Sequence, residues 1–511
     1  MQSVSTPEKA GKVSGQAQSL QNRTVRAALT SGGAEIITRA LAVLLSVATA
    51  RALEPREVGI LGIAVIIVGI ISMLGYYPET AAVAARGRGR DEDYALAASA
   101  IRAVIIPLLI LVTLALPFLG EYVGAKDSGL IQLKQLFGIL VWAPLLELLS
   151  GYPRVLLQRR LDLSYLACVQ LAQPVVFVGL AVLLLVNGRG YLGVAWANLI
   201  GTAVATALLW LRLWRRGLVW RSWPEAVTWR ETATGSGRVL LGGFGGFLGE
   251  RVDNLLVAGV IGPASMSFYS MAWNAARTPA NVFARAINFV LVPTLARIQD
   301  EPLRVERALR ECIRHSYLLL APVCAVLFVS APLLVEFVLG ARWLPLAPCL
   351  RVMSFTVFAI PVLFTSGALL TAIGRAHLIG IATVIHLATL GVLIPLLASR
   401  WGVVGAAFAD LTATAVVTAV LLITAKMATK QIKWGLLPTM ILPVAACVFA
   451  GILSRAVGTL IASNAARLII EIALVMLGYL SFTIAFGGSR RLFDFMALLR
   501  GVSRRQSVAR V

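Results

Sequence analysis

Histidine and cysteine are scarce in this chain, three and five among 511 residues. The cysteines (Cys168, Cys312, Cys324, Cys349, Cys447) are odd in number and lie mostly within apolar stretches, which excludes a disulfide framework and a thiolate metal centre. Acidic residues are outnumbered by basic ones, 24 to 46. The first 24 residues are polar and lack an apolar core followed by a small-residue cleavage motif, so no cleavable signal peptide is expected and the first span serves as the insertion signal. Outer loops are short and leave no room for an extramembrane catalytic site. No catalytic residue, cofactor or metal ligand is expected.

Apolar residues, by contrast, make up 59% of the chain, against about 45–50% in a soluble domain. Windows of about 18 to 25 apolar residues recur along almost the whole length, about fourteen of them. They are about twice as long as a tilted barrel strand requires, so the expected class is an all-α polytopic membrane protein. Alternating the loops from a cytoplasmic N-terminus puts about 31 Lys and Arg inside, about 9 outside and about 6 within spans. Both termini are therefore expected in the cytoplasm, and the membrane is expected to be the cytoplasmic (inner) one. The net charge of +22 resolves into clusters on separate inner loops, such as Arg86, Arg88 and Arg90, or Arg304, Arg307, Arg310 and Arg314. With no aromatic platform among them they fit topology and anionic lipid headgroups rather than nucleic acid.

The stretch 270–293 is the most informative. It is apolar enough to span, yet Ser270, Asn274, Arg277, Asn281, Arg285 and Asn288 follow one another at steps of three and four, one face of a helix. Its two arginines lie about 12 Å apart along the axis, and lipid tails would charge several kcal/mol for each. That face is expected to line a cationic cavity. A second charged stripe lies in the first span, where Glu35 and Arg39 share a face and serve either as an internal ion pair or as cavity lining. The seventh span opens with a glycine cluster, 242–246, fit for close packing, and then offers Glu250, Asp253 and Asn254. Glu250 and Asp253 are candidates for pairing with Arg277 or Arg39, or for coupling and gating. Arg102, Glu147, Glu336, Arg351 and Glu471 fall near predicted span ends and are expected to snorkel, and Glu79 is expected at the interface.

An internal repeat divides the chain. Residues 192–209 set against 404–421 give about ten identities in eighteen positions, with Gly193 on Gly405, Thr202 on Thr414 and Asn198 opposite Asp410. The turns 53–59 and 261–267 also correspond. The expected organisation is a disordered leader (1–26), an N-lobe of six spans (27–213), an interfacial linker (214–237) carrying Trp214, Trp220, Trp223 and Trp229, and a C-lobe of six spans (238–425). Two further spans (436–487) and a basic tail (488–511) complete it. The lobes would be pseudo-symmetric with a site between them.

Several short patterns carry a resemblance: Asp253 followed by Gly262-Pro263 and Tyr269; Arg277-Thr278-Pro279 leading to Pro293-Thr294-Leu295-Ala296; Gly340-Ala341-Arg342-Trp343; and the run from Leu370 to Gly374-Arg375. Over residues 27 to about 425 the chain resembles the polysaccharide transporter family of the multidrug/oligosaccharidyl-lipid/polysaccharide (MOP) superfamily, the flippases of lipid-linked repeat units. The resemblance implies about fourteen spans, two lobes and a cationic central cavity with Asp253 and Arg277 on its wall.

The expected function is translocation of a polyprenyl-diphosphate oligosaccharide from the inner to the outer leaflet by alternating access. Arg39, Arg277 and Arg285 would meet the phosphates, and Asn254, Asn274, Asn281 and Asn288 the sugar hydroxyls. A proton or cation on Glu35, Glu250, Asp253 or Asp410 would supply coupling. Expected partners are the lipid-linked anionic oligosaccharide and membrane lipids, with polysaccharide polymerase or export machinery as further candidates and no nucleic acid. Alternatives are a flippase for the peptidoglycan precursor, a cation-coupled drug exporter, which the paired arginines disfavour, and a membrane scaffold, which would leave the polar stripe unexplained.

Overall fold

The computed structural model describes residues 37–85, 90–122, 128–217, 225–429, 437–458 and 463–487. The expected leader, Glu35, the middle of the expected linker and the basic tail lie outside them. Every regular element among the described residues is helical. Eight of the helices are long and apolar enough to cross a bilayer, and a pair bent by 42°, 341–354 with 356–372, makes a ninth candidate. The chain divides into two compact units, Met1–Phe244 and Gly245–Val511.

The first unit holds α1 (37–52), α2 (Pro55–Ala84), α3 (Asp91–Tyr122), α4 (Ser128–Leu140), α5 (Trp142–Arg159), α6 (Leu163–Val186), α7 (Gly190–Arg215) and the start of α8 (Ala226–Ile261). Its core has two layers. Ile60, Ala64, Ile71, Ile106 and Phe137 form one, and Tyr94, Val155, Leu156, Leu166 and Leu209 the other. Basic residues at the helix ends hold this unit together as well as orienting it. Arg159 donates to the carbonyls of Ala82 at 2.6 Å and Ala85 at 3.1 Å, satisfying the open end of α2, and reaches Asp91 at 2.7 Å. Arg212 and Arg216 converge on Asp162 at 3.0 and 2.9 Å.

Within the same unit Glu79, expected at the interface, and Arg102, expected to snorkel, are turned inward toward each other. Both are only 2% exposed and form an ion pair with each other. Arg102 also donates to the Glu147 carbonyl at 2.7 Å, while Arg154 reaches the second Glu79 oxygen at 3.4 Å and the Ser150 hydroxyl at 3.0 Å. Gly151 makes room for this cluster, because a Cβ there would collide with the Arg102 guanidinium. A charge two turns from a span end can snorkel, but a neighbouring helix offering a carboxylate satisfies it better than a stretch toward water.

The second unit continues α8 and adds α9 (Pro263–Ile298), α10 (Pro302–Val329), α11 (Ala331–Val338), a 3₁₀ turn (Ala341–Leu346), α12 (Ala347–Ser354), α13 (Thr356–Ala372), α14 (His377–Ala428), α15 (Leu437–Gly458) and α16 (Asn464–Gly487). The 52 residues of α14 are two helices that meet at Gly402, with φ 59° and ψ −140°. Gly190, which joins α6 to α7, has the same φ of 59°. These glycines are 212 positions apart (402 minus 190), the spacing of the sequence repeat. Close packing follows each joint: a Cβ on Gly405 would strike the Leu397 carbonyl, and one on Gly193 would lie 2.9 Å from the Leu184 Cβ.

The last two helices rest on α10 through Ala321, Ala325, Ala446, Ala450 and Tyr479. Small residues let backbones approach where lipid gives no hydrophobic driving force between helices. Glu471 does not snorkel as its place near a span end leads one to expect. It is buried, accepting from Ser330 at 3.0 Å and from Arg467 at 2.9 Å.

Candidate functional site

Helix α9 presents two distinct faces. Ala272, Ala276, Ala280 and Ala284, at steps of four, are buried and form its packing ridge. The polar stripe lies elsewhere on the helix: Asn274 is exposed, and Ser270, Arg277, Asn281 and Asn288 are half-buried. Alanine on one side lets α9 pack closely within the second unit, and so frees the other side for polar groups. The side chains of Arg285 and Glu250 lie outside the described residues, and Arg39 lies on α1 in the first unit.

Arg277 is the best-defined member of the stripe. Its Nη2 donates to both oxygens of Asp410 at 3.1 Å and to the Thr414 hydroxyl at 2.6 Å. The guanidinium carbon stands 5.1 Å over the Trp273 ring, a cation–π contact one turn back along the same helix. Exposure differs sharply across the pair, 17% for Arg277 and 2% for Asp410. All of these polar bonds use a single nitrogen. Nε is buried with no partner, and Nη1 makes no bond among the described residues. The guanidinium is thus anchored at one corner and unclaimed along its other edge.

Asp253 and Asn254 of α8 are buried in the same unit, within range of the charges of Asp410 and Arg277. Asp253 is not bonded to Arg277, contrary to the pairing its position invites. Instead, one carboxylate oxygen accepts from the Tyr269 hydroxyl at 2.9 Å and the other from the backbone and side-chain nitrogens of Asn254 at 2.8 and 3.0 Å. The Oδ1 atoms of Asn254 and Asn288 are buried without partners. His386, on the first half of α14, also feels the charges of Asp410 and Arg277, and its Nδ1 has no partner.

The second unit therefore brings together Asp253, Asn254, Arg277 and Asp410 from the sequence-derived set. Tyr269, Trp273 and Thr414 were not singled out as site residues. One signal pointed to the missing partner of Arg277. In the repeat, Asp410 falls opposite the neutral Asn198, and a carboxylate added to an otherwise matching apolar helix requires a counter-charge.

This arrangement has no nucleophile paired with a base, and no group of three or more potential ligand side chains that could hold a metal occurs among the described residues. What it offers is an oriented guanidinium, the carboxylate that holds it, and amide side chains along the same helix.

Solved structures share this fold. The chain superposes on one described as lipid II flippase MurJ in an inward closed conformation with a TM-score of 0.72 at 15% identity, covering 90% of this chain and 98% of that one. A multidrug resistance MATE family transporter of the MOP superfamily, inward-facing, gives 0.60 at 16% identity, covering 77% and 94%. A MOP superfamily transporter from Pyrococcus furiosus, described as having a binding pocket of reversed polarity, gives 0.53 at 12% identity, covering 80% and 95%. Comparison with functionally curated protein sequences returns no match. At the level of sequence families the outcome is definite: residues 48–348, more than half of the 511, match the model described as polysaccharide biosynthesis protein, and the chain belongs to that family.

Proposed function

We propose that this chain is a flippase that carries a polyprenyl-diphosphate-linked oligosaccharide from the inner to the outer leaflet of the cytoplasmic membrane. The observation that carries the reading is the one-cornered anchoring of Arg277, a positive group held in an apolar helical unit on the same helix stripe as Asn274, Asn281 and Asn288. Family membership supports an anion that belongs to polysaccharide assembly.

A diphosphate headgroup cannot enter hydrocarbon unaccompanied, because ionic oxygens left unpaired there are destabilised far beyond thermal energy. Arg277 offers replacement bonds, and phosphate oxygens would compete with Asp410 for its guanidinium. Asp410, which is buried, would then be left without a counter-charge, and a coupling ion that takes the place of Arg277 is where coupling would enter. Asn274, Asn281 and Asn288 would meet sugar hydroxyls. A membrane potential negative inside favours outward anion movement by about 2.3 kcal/mol per charge per 100 mV.

The peptidoglycan precursor is a second candidate cargo, favoured by the superposition on the lipid II flippase. Reconstituted vesicles given either labelled lipid, with transbilayer movement followed by protection from an external enzyme or quencher, separate the two. Movement of the oligosaccharide lipid and not of the peptidoglycan precursor supports the proposal. The reverse preference replaces its cargo, and movement of neither refutes transport.

A further inference from the structure

A cleft of about 320 Å³ opens on the second unit among α10, α12, α13 and α15. Phe328, Phe355, Val448 and Ile452 line it and are themselves exposed. Apolar exposure is ordinary on a helix that faces lipid, and alone it carries nothing. Two further features distinguish this place. It is concave, at the small end of the ~300–1,000 Å³ range of binding pockets, room for a stretch of hydrocarbon chain rather than a whole lipid. It also has two arginines in its lining, Arg351 and Arg455.

Neither arginine has a carboxylate partner among the described residues. Arg351 donates from Nε to the Phe328 carbonyl at 3.2 Å, which fixes its guanidinium against the cleft wall, and Arg455 lies within electrostatic reach of it. Two like charges drawn together on an apolar surface are mutually unfavourable unless an anion joins them. Arg351, on α12, is bonded to Phe328 at the C-terminal end of α10, and Arg455 lies in the last turn of α15. The arginine-rich run that begins α10 is at the opposite end, so positive-inside placement puts this pair at the outer leaflet.

We propose that this cleft is a binding site for an anionic glycerophospholipid of the outer leaflet, its phosphate bridging Arg351 and Arg455 and one acyl chain lying between Phe355 and Val448. The site lies wholly within the second unit, involves none of the residues proposed to meet cargo, and stands independently of the flippase reading. The bound lipid would act as a wedge that fixes α15 against α10 and α12.

Native mass spectrometry of the full-length protein, released from detergent in the presence of dioleoyl phosphatidylglycerol or dioleoyl phosphatidylcholine, tests this with matched tails. The expected result is retention of the anionic lipid at least ~10-fold above the zwitterionic one, whose choline cation would face the same two arginines as its phosphate. Arg351→Gln/Arg455→Gln should remove that preference while leaving weak retention of both lipids, and Val448→Trp, which fills the cleft, should lower both. Equal retention of the two lipids by the unaltered protein overturns the proposal, as does a preference that survives the double substitution. A polyprenyl diphosphate that displaces phosphatidylglycerol and is itself lost in the double variant would assign the cleft to cargo instead.

Discussion

Arg277 grips Asp410 by one nitrogen only, Nη2 lying 3.1 Å from each carboxylate oxygen. A buried carboxylate thereby holds a guanidinium in place without saturating it. The pair belongs to only one of the two sequence repeats. In the first unit the equivalent of Thr414 is Thr202, which accepts from the neutral Gln173 at 3.3 Å. The repeats share a backbone scheme but differ in charge.

Breaking the pair from one side should destabilise the protein. Arg277→Ala leaves Asp410 buried and uncompensated, with an expected loss of about 3–5 kcal/mol. Arg277→Ala/Asp410→Asn should recover most of it. Unfolding of the detergent-purified proteins in a double-mutant cycle measures the coupling, and a double variant no more stable than Arg277→Ala would show the two residues to be independent.

The cluster around Glu79 should be equally sensitive. Arg102→Ala leaves Glu79 with Arg154 alone, and about 3 kcal/mol of stability is expected to go with it. Gly151→Ala should be destabilising through the same cluster, since its Cβ would occupy the space of the Arg102 guanidinium. If both variants unfold at the temperature of the unaltered protein, these charges are not what holds α2, α3 and α5 together.

At the two joints, Gly402→Ala and Gly190→Ala should each cost about 1–2 kcal/mol, because both residues have a φ of 59°, a region disfavoured for L side chains. Gly405→Ala should cost more than either, since its Cβ would meet a backbone carbonyl that cannot turn away. Unfolding midpoints of the three variants give the ranking, and a Gly405→Ala milder than the other two would contradict the packing argument.

Much of this architecture is legible in the residues, and the exceptions have a common cause. Long apolar windows mark the spans, and the offset of 212 that pairs Gly193 with Gly405 also pairs the two joints at Gly190 and Gly402. The steps between Asn274, Arg277 and Asn281 mark the polar stripe of α9. Partners were not legible. Glu79 with Arg102, and Ser330 with Glu471, lie 23 and 141 positions apart, and nothing in local spacing says that they meet. Periodicity reports which side of a helix is polar, whereas the identity of a counter-charge depends on which helix packs there. Asp253 shows the same limit: its place near Arg277 could be anticipated, but its allegiance to Tyr269 could not.

The most direct test of the central claim is the initial rate at which a labelled polyprenyl-diphosphate oligosaccharide crosses the membrane of vesicles holding equal amounts of folded protein. Arg277→Ala/Asp410→Asn, which removes the guanidinium without leaving a buried charge, should move the lipid ~10–100-fold more slowly than the unaltered protein, the loss of one charge-assisted phosphate bond of about 1.5–3 kcal/mol. An unchanged rate in that variant would contradict the account.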